Sequence, residues 1–439
     1  MRQALRATTI LATIGLAAAG TALPAAAQAP ASGLQAGVGG DPAIFGPTSS
    51  VPGPTGLPGS IQFYFKGRLH TDFMFGGDSL DHGGGNKSQN IEFGEYARLY
   101  TGFAGTAANG MQFGAYVEIR QNGSAALGAS TGTNSLIFRR ETGYIKGDWG
   151  QFRFGQTDGA SDLFLTGTFE NFDDAGWNSS DLPNLFSSNA AIVWPFEDTS
   201  AYYGTSKVVY LSPRFSGFDF GLAYEPNQTG TGEAACASAT LSGTGGGCQR
   251  LSTIAGPASA QYRRNMFDAV GRYTGSLGPV ALTATLGTLT AGHVNNTSAP
   301  ASDPTIVQTG ITLAFGGFAV GGNFLTGNIN GSFVPLPKGG RHETAWVAGA
   351  SYATGPFILG AAVNATDYQG ATGPGLGGRS ELGVAAGSTF TWAPGVSTFL
   401  SMLYGHRHQV GYDFATGAAG TASNNTRAFG ITLGNSFNW

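Results

Sequence analysis

From Ile61 to Phe75 the chain reads IQFYFKGRLHTDFMF, an alternation of apolar and polar residues sustained over fifteen positions. Ile61, Phe63, Phe65, Leu69, Phe73 and Phe75 share one parity, with only Gly67 and Thr71 neutral among them. Gln62, Tyr64, Lys66, Arg68, His70 and Asp72 share the other. A strand sends successive side chains to opposite faces, so this segment has one greasy face and one charged face. Its length exceeds the roughly 5–6 residues usual in soluble sheets. It also exceeds the roughly 9–11 residues that cross a bilayer core when tilted. An amphipathic strand covering a soluble core has the same pattern, so what decides is whether the rest of the chain repeats it.

It does. Strand-like segments recur as pairs joined by short turns: 91–104 with 111–121, 136–146 with 151–156, 207–212 with 218–225, and 264–274 with 280–290. The second half continues with 305–315 and 318–326, 343–353 and 357–366, 380–392 and 396–408, and a last strand over 425–439. Connections between pairs are longer and mostly polar or Gly-rich. The first strand, seven turn-linked pairs and the last give sixteen, although counting alone leaves fourteen or eighteen open. An even number, with short turns at one end and long loops at the other, predicts an all-β fold: a transmembrane antiparallel β-barrel. Such a barrel closes because a sheet edge in hydrocarbon would leave backbone groups unpaired. Sixteen strands leave room for a water-filled lumen.

The ends of the chain agree with this. Arg2 and Arg6 precede an apolar run from Thr8 to Gly20, and Ala25-Ala26-Ala27 precede Gln28, so residues 1–27 read as a signal peptide. Residues 28–60 are a Pro/Gly-rich irregular segment, and the barrel is expected over 61–439. In the last strand Phe429, Ile431, Leu433, Phe437 and Trp439 share a face. An aromatic residue closing such a strand resembles the terminal signal by which outer-membrane barrels are recognised for insertion.

Composition narrows the class. Charged residues are 11% and aromatic residues 12% of the chain. That balance, with a mean hydropathy of −0.02, suits a surface that meets lipid through alternation rather than through long apolar runs. Without Arg2 and Arg6 the chain carries 20 basic residues against 26 acidic ones, a net charge near −6. Nucleic acid, which needs a basic footprint, is therefore not an expected partner. Cys236 and Cys248, with eleven residues between them in a Gly/Ser/Thr/Ala segment, read as a loop disulfide in an oxidising compartment, worth about 3 kcal/mol in the chain-entropy model.

Three segments carry a likeness to a known family. ETGYIKGDWGQFRFGQ (141–156) resembles the hairpin that precedes the constriction loop of general porins of Gram-negative outer membranes. KVVYLSPRFSGFDFGLAYEPN (207–227) resembles the hairpin that follows it, and NSFNW resembles the family's terminus. The resemblance implies a sixteen-stranded homotrimer in the outer membrane, passing small hydrophilic solutes and ions. It also implies that the long loop, about 157–205, folds inward and narrows the pore.

That loop has no Lys or Arg but eight acids: Asp158, Asp162, Glu170, Asp173, Asp174, Asp181, Glu197 and Asp198. Phe164, Phe169, Phe172, Trp177, Phe186, Trp194 and Phe196 suggest that it packs against something. Asp162, Glu170, Asp173 and Asp174 are the expected acidic side of the pore. The expected basic side is Lys66, Arg68, Arg98, Arg120 and Arg153, which share the polar parity of their strands, together with Arg139. Arg139 and Arg140 are adjacent, so alternation admits one of them, and the local pattern favours Arg139. An acidic loop facing a basic wall sets up a transverse field that orders water and favours polar solutes.

No catalytic constellation stands out, and the chain reads as a non-enzyme without a cofactor. Its six His residues are scattered, and no HExxH or Walker-type sequence occurs. His406 and His408 share a strand face near a loop, where a wet rim explains them better than a metal pair. Asp173-Asp174 or Glu197-Asp198 offer carboxylates to Ca²⁺, and no other metal site is expected. Two rivals remain: a substrate-selective channel with an aromatic waist from Trp194, Tyr202 and Tyr203, and a barrel acting as adhesin or enzyme.

Overall fold

The computed structural model describes residues 58–83, 86–121, 136–169, 171–173, 176–177, 182–196, 205–227, 253–254, 263–296, 300–331 and 333–439. The leader 1–27, most of the segment 28–60, Glu170, Asp174, Tyr202, Tyr203, Cys236 and Cys248 lie outside them.

Sixteen strands form one closed antiparallel barrel. The first half comprises β1 Ile61–Asp78, β2 Ile91–Thr106, β3 Gln112–Gln121, β4 Leu136–Gly147, β5 Gly150–Gln156, β6 Ser206–Leu211, β7 Phe218–Asn227 and β8 Arg263–Leu277. The second comprises β9 Val280–His293, β10 Thr305–Phe315, β11 Phe318–Gly327, β12 Glu343–Thr354, β13 Phe357–Tyr368, β14 Arg379–Ala393, β15 Val396–Gln409 and β16 Asn425–Asn438. Each strand pairs with its sequence neighbours. The ring closes where β1 meets β16, in register from Arg68–Asn438 to Asp78–Ala428. No edge is left facing hydrocarbon along that seam.

The period of two seen in sequence is the period of burial. In β1 the side chains of Ile61, Phe63, Phe65, Leu69, Phe73 and Phe75 are exposed outward, whereas Arg68, His70, Asp72 and Met74 are buried. Gly67, the gap on the apolar face, sits beneath the indole of Trp439, whose ring occupies the space a Cβ there would need. Gly67 and Trp439 also exchange backbone hydrogen bonds of 3.2 and 3.1 Å. A terminal aromatic thus completes the face that the glycine leaves open.

The seven short turns contain glycines in the left-handed region, such as Gly316 and Gly317 at φ 53° and 88° between β10 and β11. Two consecutive positive φ values are what a tight hairpin with native twist demands. Outward aromatics gather at this end of the barrel. Phe152–Tyr210, Phe218–Tyr273, Phe318–Tyr352 and Phe357–Phe390 lie 5.0, 4.8, 4.3 and 4.6 Å apart between ring centroids. A girdle of rings at the interface level is the mark of a barrel seated in a bilayer.

Candidate functional site

The inner face of the barrel is divided by charge. On β1, β2 and β3 the ladder sets Arg68 directly opposite Arg98, and Arg98 directly opposite Arg120. Three guanidinium groups thus share one row. The next row holds Lys66, Tyr100 and Glu118, and the one after it Tyr64, Gly102 and Tyr116. Like charges directly opposite one another repel, and Glu118 is the acid built into that patch. It accepts hydrogen bonds from Arg139 at 2.8 Å and Arg140 at 2.6 Å, and lies 3.9 Å from Arg98.

Arg139 and Arg140 both reach the interior, contrary to the expectation that alternation admits one. The β3–β4 register slips between Glu118 and Ile119, so that Arg140 pairs with Glu118 and Phe138 with Ile119. A β-bulge places an extra residue on one strand, and Arg139 is that residue. Arg140 also donates to Asp158 of the long loop at 2.8 Å. Arg153 lies on the inner face of β5, in register with Tyr144, and is buried.

The described residues of the long loop, 157–169, 171–173, 176–177, 182–196 and 205, include contacts with the inside of the wall. Ser161 donates to Asp268 of β8 through both its backbone N–H (2.8 Å) and its hydroxyl. The Thr166 carbonyl accepts from Asn323 of β11 at 2.8 Å, and the Phe172 carbonyl from Thr389 of β14 at 3.3 Å. Trp177 Nε1 donates to the Val384 carbonyl at 3.3 Å, and the Ser187 N–H to Asp78 of β1 at 2.6 Å. From Ser161 to Ser187 the described residues thus contact β8, β11, β14 and then β1.

What lets it lie so close is a track of inward glycines. A Cβ at Gly287 of β9 would meet Ser161, one at Gly310 of β10 would meet Thr166, and one at Gly321 of β11 would meet Phe169. Gly349 of β12 again faces Phe169, Gly360 of β13 faces Phe172, and Gly387 of β14 faces Asp173. Gly405 of β15 lies under Trp177 and Gly430 of β16 under Leu182 and Phe186. The aromatic residues noted in the loop thus pack on the barrel wall. Phe169, at φ 47°, holds a backbone conformation unusual for a bulky residue, and is fixed there by this packing.

On its return the loop is latched at the long-loop end. Glu381 of β14 accepts from the Val193 N–H at 2.6 Å, from Tyr368 at 2.5 Å and from Arg407 at 2.8 Å. Arg407 in turn donates to the Asn189 carbonyl at 2.8 Å.

The expected acids are distributed differently from the bases. Asp162 is buried and, with Asp158 and Glu225, is a charged neighbour of Lys207 on β6. Asp173 lies against Gly387 of β14. Asp158, counted in the loop but not placed at the pore, is the one ion-paired to Arg140. Sequence reasoning also passed over Lys207 and Arg272. Lys207 donates to the Thr157 carbonyl at 2.8 Å. Arg272 forms a two-point pair with Asp219 at 3.0 and 2.6 Å and stacks 4.0 Å from the Phe164 ring. Both sit at inward positions of alternating strands, a parity that was there to be read. Trp194 is buried with its ring 5.1 Å from Phe196. Among the described residues no cluster of three or more His, Cys, Asp or Glu is placed to hold a metal ion; Glu170, Asp174, Glu197 and Asp198 lie outside those residues.

A family model described as Gram-negative porin matches residues 12–408. No curated protein sequence matches the chain. Among solved structures, the anion-selective porin from Comamonas acidovorans is similar at a TM-score of 0.54 and 13% identity, covering 87% of this chain and 100% of that one. The trimer form of OmpT, an outer-membrane protein of Vibrio cholerae, is similar at 0.52 and 13%, with the same coverage of 87% and 100%. A porin refined at 1.8 Å gives 0.50 and 14%, covering 86% and 100%.

Proposed function

The chain belongs to the Gram-negative porin family, an outer-membrane channel by family and fold, and from that premise we propose how it handles solutes. The pore passes small hydrophilic molecules by diffusion, and its waist is the gap between the long loop on the second-half strands and the basic patch on β1–β5. The row Arg68, Arg98 and Arg120 is the observation that carries this reading. Among the described residues in the middle of these strands, Lys66, Arg68, Arg98, Arg120, Arg139, Arg140 and Arg153 share the inner face with Asp72 and Glu118, and the loop's Asp158 pairs with Arg140. Bases outnumber acids, so the patch attracts anions locally. Guanidinium stays charged in a confined site and keeps a fixed planar geometry.

Ordered water in such a field resists displacement by apolar solutes, whereas sugars and ions exchange hydrogen bonds with it. Asp162, Glu170, Asp173 and Asp174 belong to the loop side in this reading. A homotrimer is the proposed assembly; the trimer form of the Vibrio cholerae protein supports it. Swelling of liposomes in graded neutral sugars tests the passage itself. Entry should fall smoothly with solute size and show no saturation. Exclusion of all sugars, or saturable entry of one, would replace this reading with a closed barrel or a dedicated transporter.

A further inference from the structure

The outer face of β15 and β16 changes character toward the long-loop end. From the middle of the wall, the outward cross-strand pairs are Leu400 with Leu433, Met402 with Ile431, and Tyr404 with Phe429. Leu400, Met402, Phe429 and Leu433 are exposed apolar side chains. The next outward pair is His406 with Arg427, and the last is His408 with Asn425. Each step of two residues is about 6.6 Å along the strand, so basic side chains begin one step beyond a pair of aromatic rings. An Arg on the lipid face is costly at the bilayer midplane and nearly free of cost at the interface. This row therefore lies at headgroup level.

The basic groups have no carboxylate of their own. Among the described residues Arg427, His406 and His408 pair with no Asp or Glu, and the charged neighbours of His406 are Arg427 and His408. Arg427 is exposed. Its backbone is held on the β1 side by Ser79, whose N–H donates to its carbonyl at 2.9 Å and whose hydroxyl accepts from its N–H at 3.1 Å. His408 Nδ1 donates to Asn425 Oδ1 at 2.9 Å, which leaves Nε2 for another partner. Acids on the flanking segments are already matched. Asp367 of β13 lies 3.8 Å from Arg341, and Asp81, after β1, is paired with His82 and Lys87. Opposite Phe429 on β1 stands Gly77, where a Cβ would meet only Asn90, so no side chain fills the outer face beside that ring.

We infer that Arg427, His406 and His408 form a site for the anionic phosphate of a membrane lipid in the leaflet at the long-loop end. Guanidinium binds phosphate in a planar, two-point fashion, and the imidazoles add donors beside it. The lipid's chains lie down the apolar column below, alongside Phe429 and over the gap at Gly77. A free phosphate ion gains the first contact without the second, which is why the lipid is the occupant.

Native mass spectrometry of the detergent-solubilised protein tests this, with phosphatidic acid titrated in one series and phosphatidylcholine of the same chain length in another. Phosphatidic acid should bind saturably, and phosphatidylcholine, whose phosphate is covered by choline, should bind far more weakly. Arg427→Gln should weaken phosphatidic acid binding about fivefold, the worth of one basic side chain at a lipid surface. Arg341→Gln, which removes a charge already matched by Asp367, should leave it unchanged. Inorganic phosphate in large excess should not displace the lipid. Equal binding of the two lipids, or undiminished phosphatidic acid binding in Arg427→Gln, would overturn the site. Displacement by inorganic phosphate would overturn the lipid as its occupant. An Arg427→Gln protein that fails to fold is read through His406→Gln combined with His408→Gln, which carries the same direction of change.

Discussion

Glu118 holds more of the lumen's electrostatics than any other single side chain described. It stands where the Arg98, Arg139 and Arg140 groups converge, and hydrogen bonds to charged partners are worth about 1.5–3 kcal/mol each. Replacing it by Gln keeps an acceptor but removes the charge that offsets three guanidinium groups. Glu118→Gln should lower the unfolding free energy of the detergent-solubilised barrel by an amount in that range, measured by urea titration. It should also shift the zero-current potential toward anions. Unchanged stability and an unchanged potential together would show that Glu118 does not balance the patch. At this scale the parity of side chains was legible, which is why Lys66, Arg68, Arg98, Arg120 and Arg153 could be placed on the inner face from sequence. Arg140 was not, because a bulge adds one residue without any marker in the local pattern.

The strands and hairpins were legible because a period of two, broken by turn glycines, is a local property of the chain. The path of the long loop was not, since it depends on which wall has room for it. Gly349, Gly360, Gly387, Gly405 and Gly430 look in sequence like neutral gaps in otherwise small-residue strands; folded, they form the floor under Phe169, Phe172, Asp173, Trp177 and Leu182 in turn. A Cβ at Gly349 would fall 2.7 Å from Phe169 Cβ. Gly349→Val should therefore push the loop off the wall and into the lumen. Unitary conductance should fall and current noise rise, with an overpacking cost of about 1–3 kcal/mol. Ala350→Val, on the outer face of the same strand, is the matched control and should conduct as wild type does. Equal conductance in all three proteins would mean that the glycine track does not position the loop.

Across the whole molecule, one asymmetry organises the rest. Strands β1–β8 carry paired and clustered charge on their inner face, whereas strands β9–β16 carry glycines against the described part of the loop, with the charged pair Glu381–Arg407 confined to the long-loop end. The outer surface shows the reverse economy: apolar side chains all round and aromatic rings collected at the turn end. Even the closure at β1 and β16 uses this division, with Trp439 covering Gly67 outside while Asp72 and Arg68 remain inside. Sequence alone supplied the sixteen strands and the inward basic parity; the division of the lumen into a charged half and a glycine-floored half needed the ring to be closed.

The most direct test is the current through the purified protein in a planar bilayer separating unequal potassium chloride solutions, recorded for wild type and for the double substitution Arg98→Gln, Arg120→Gln. Wild type should give stepwise, ohmic conductance in groups of three. The double variant should conduct in the same steps, with its zero-current potential displaced toward potassium. A silent bilayer, or a potential that does not move when two of the three row arginines lose their charge, would contradict the account of a water-filled pore whose selectivity is set on that wall.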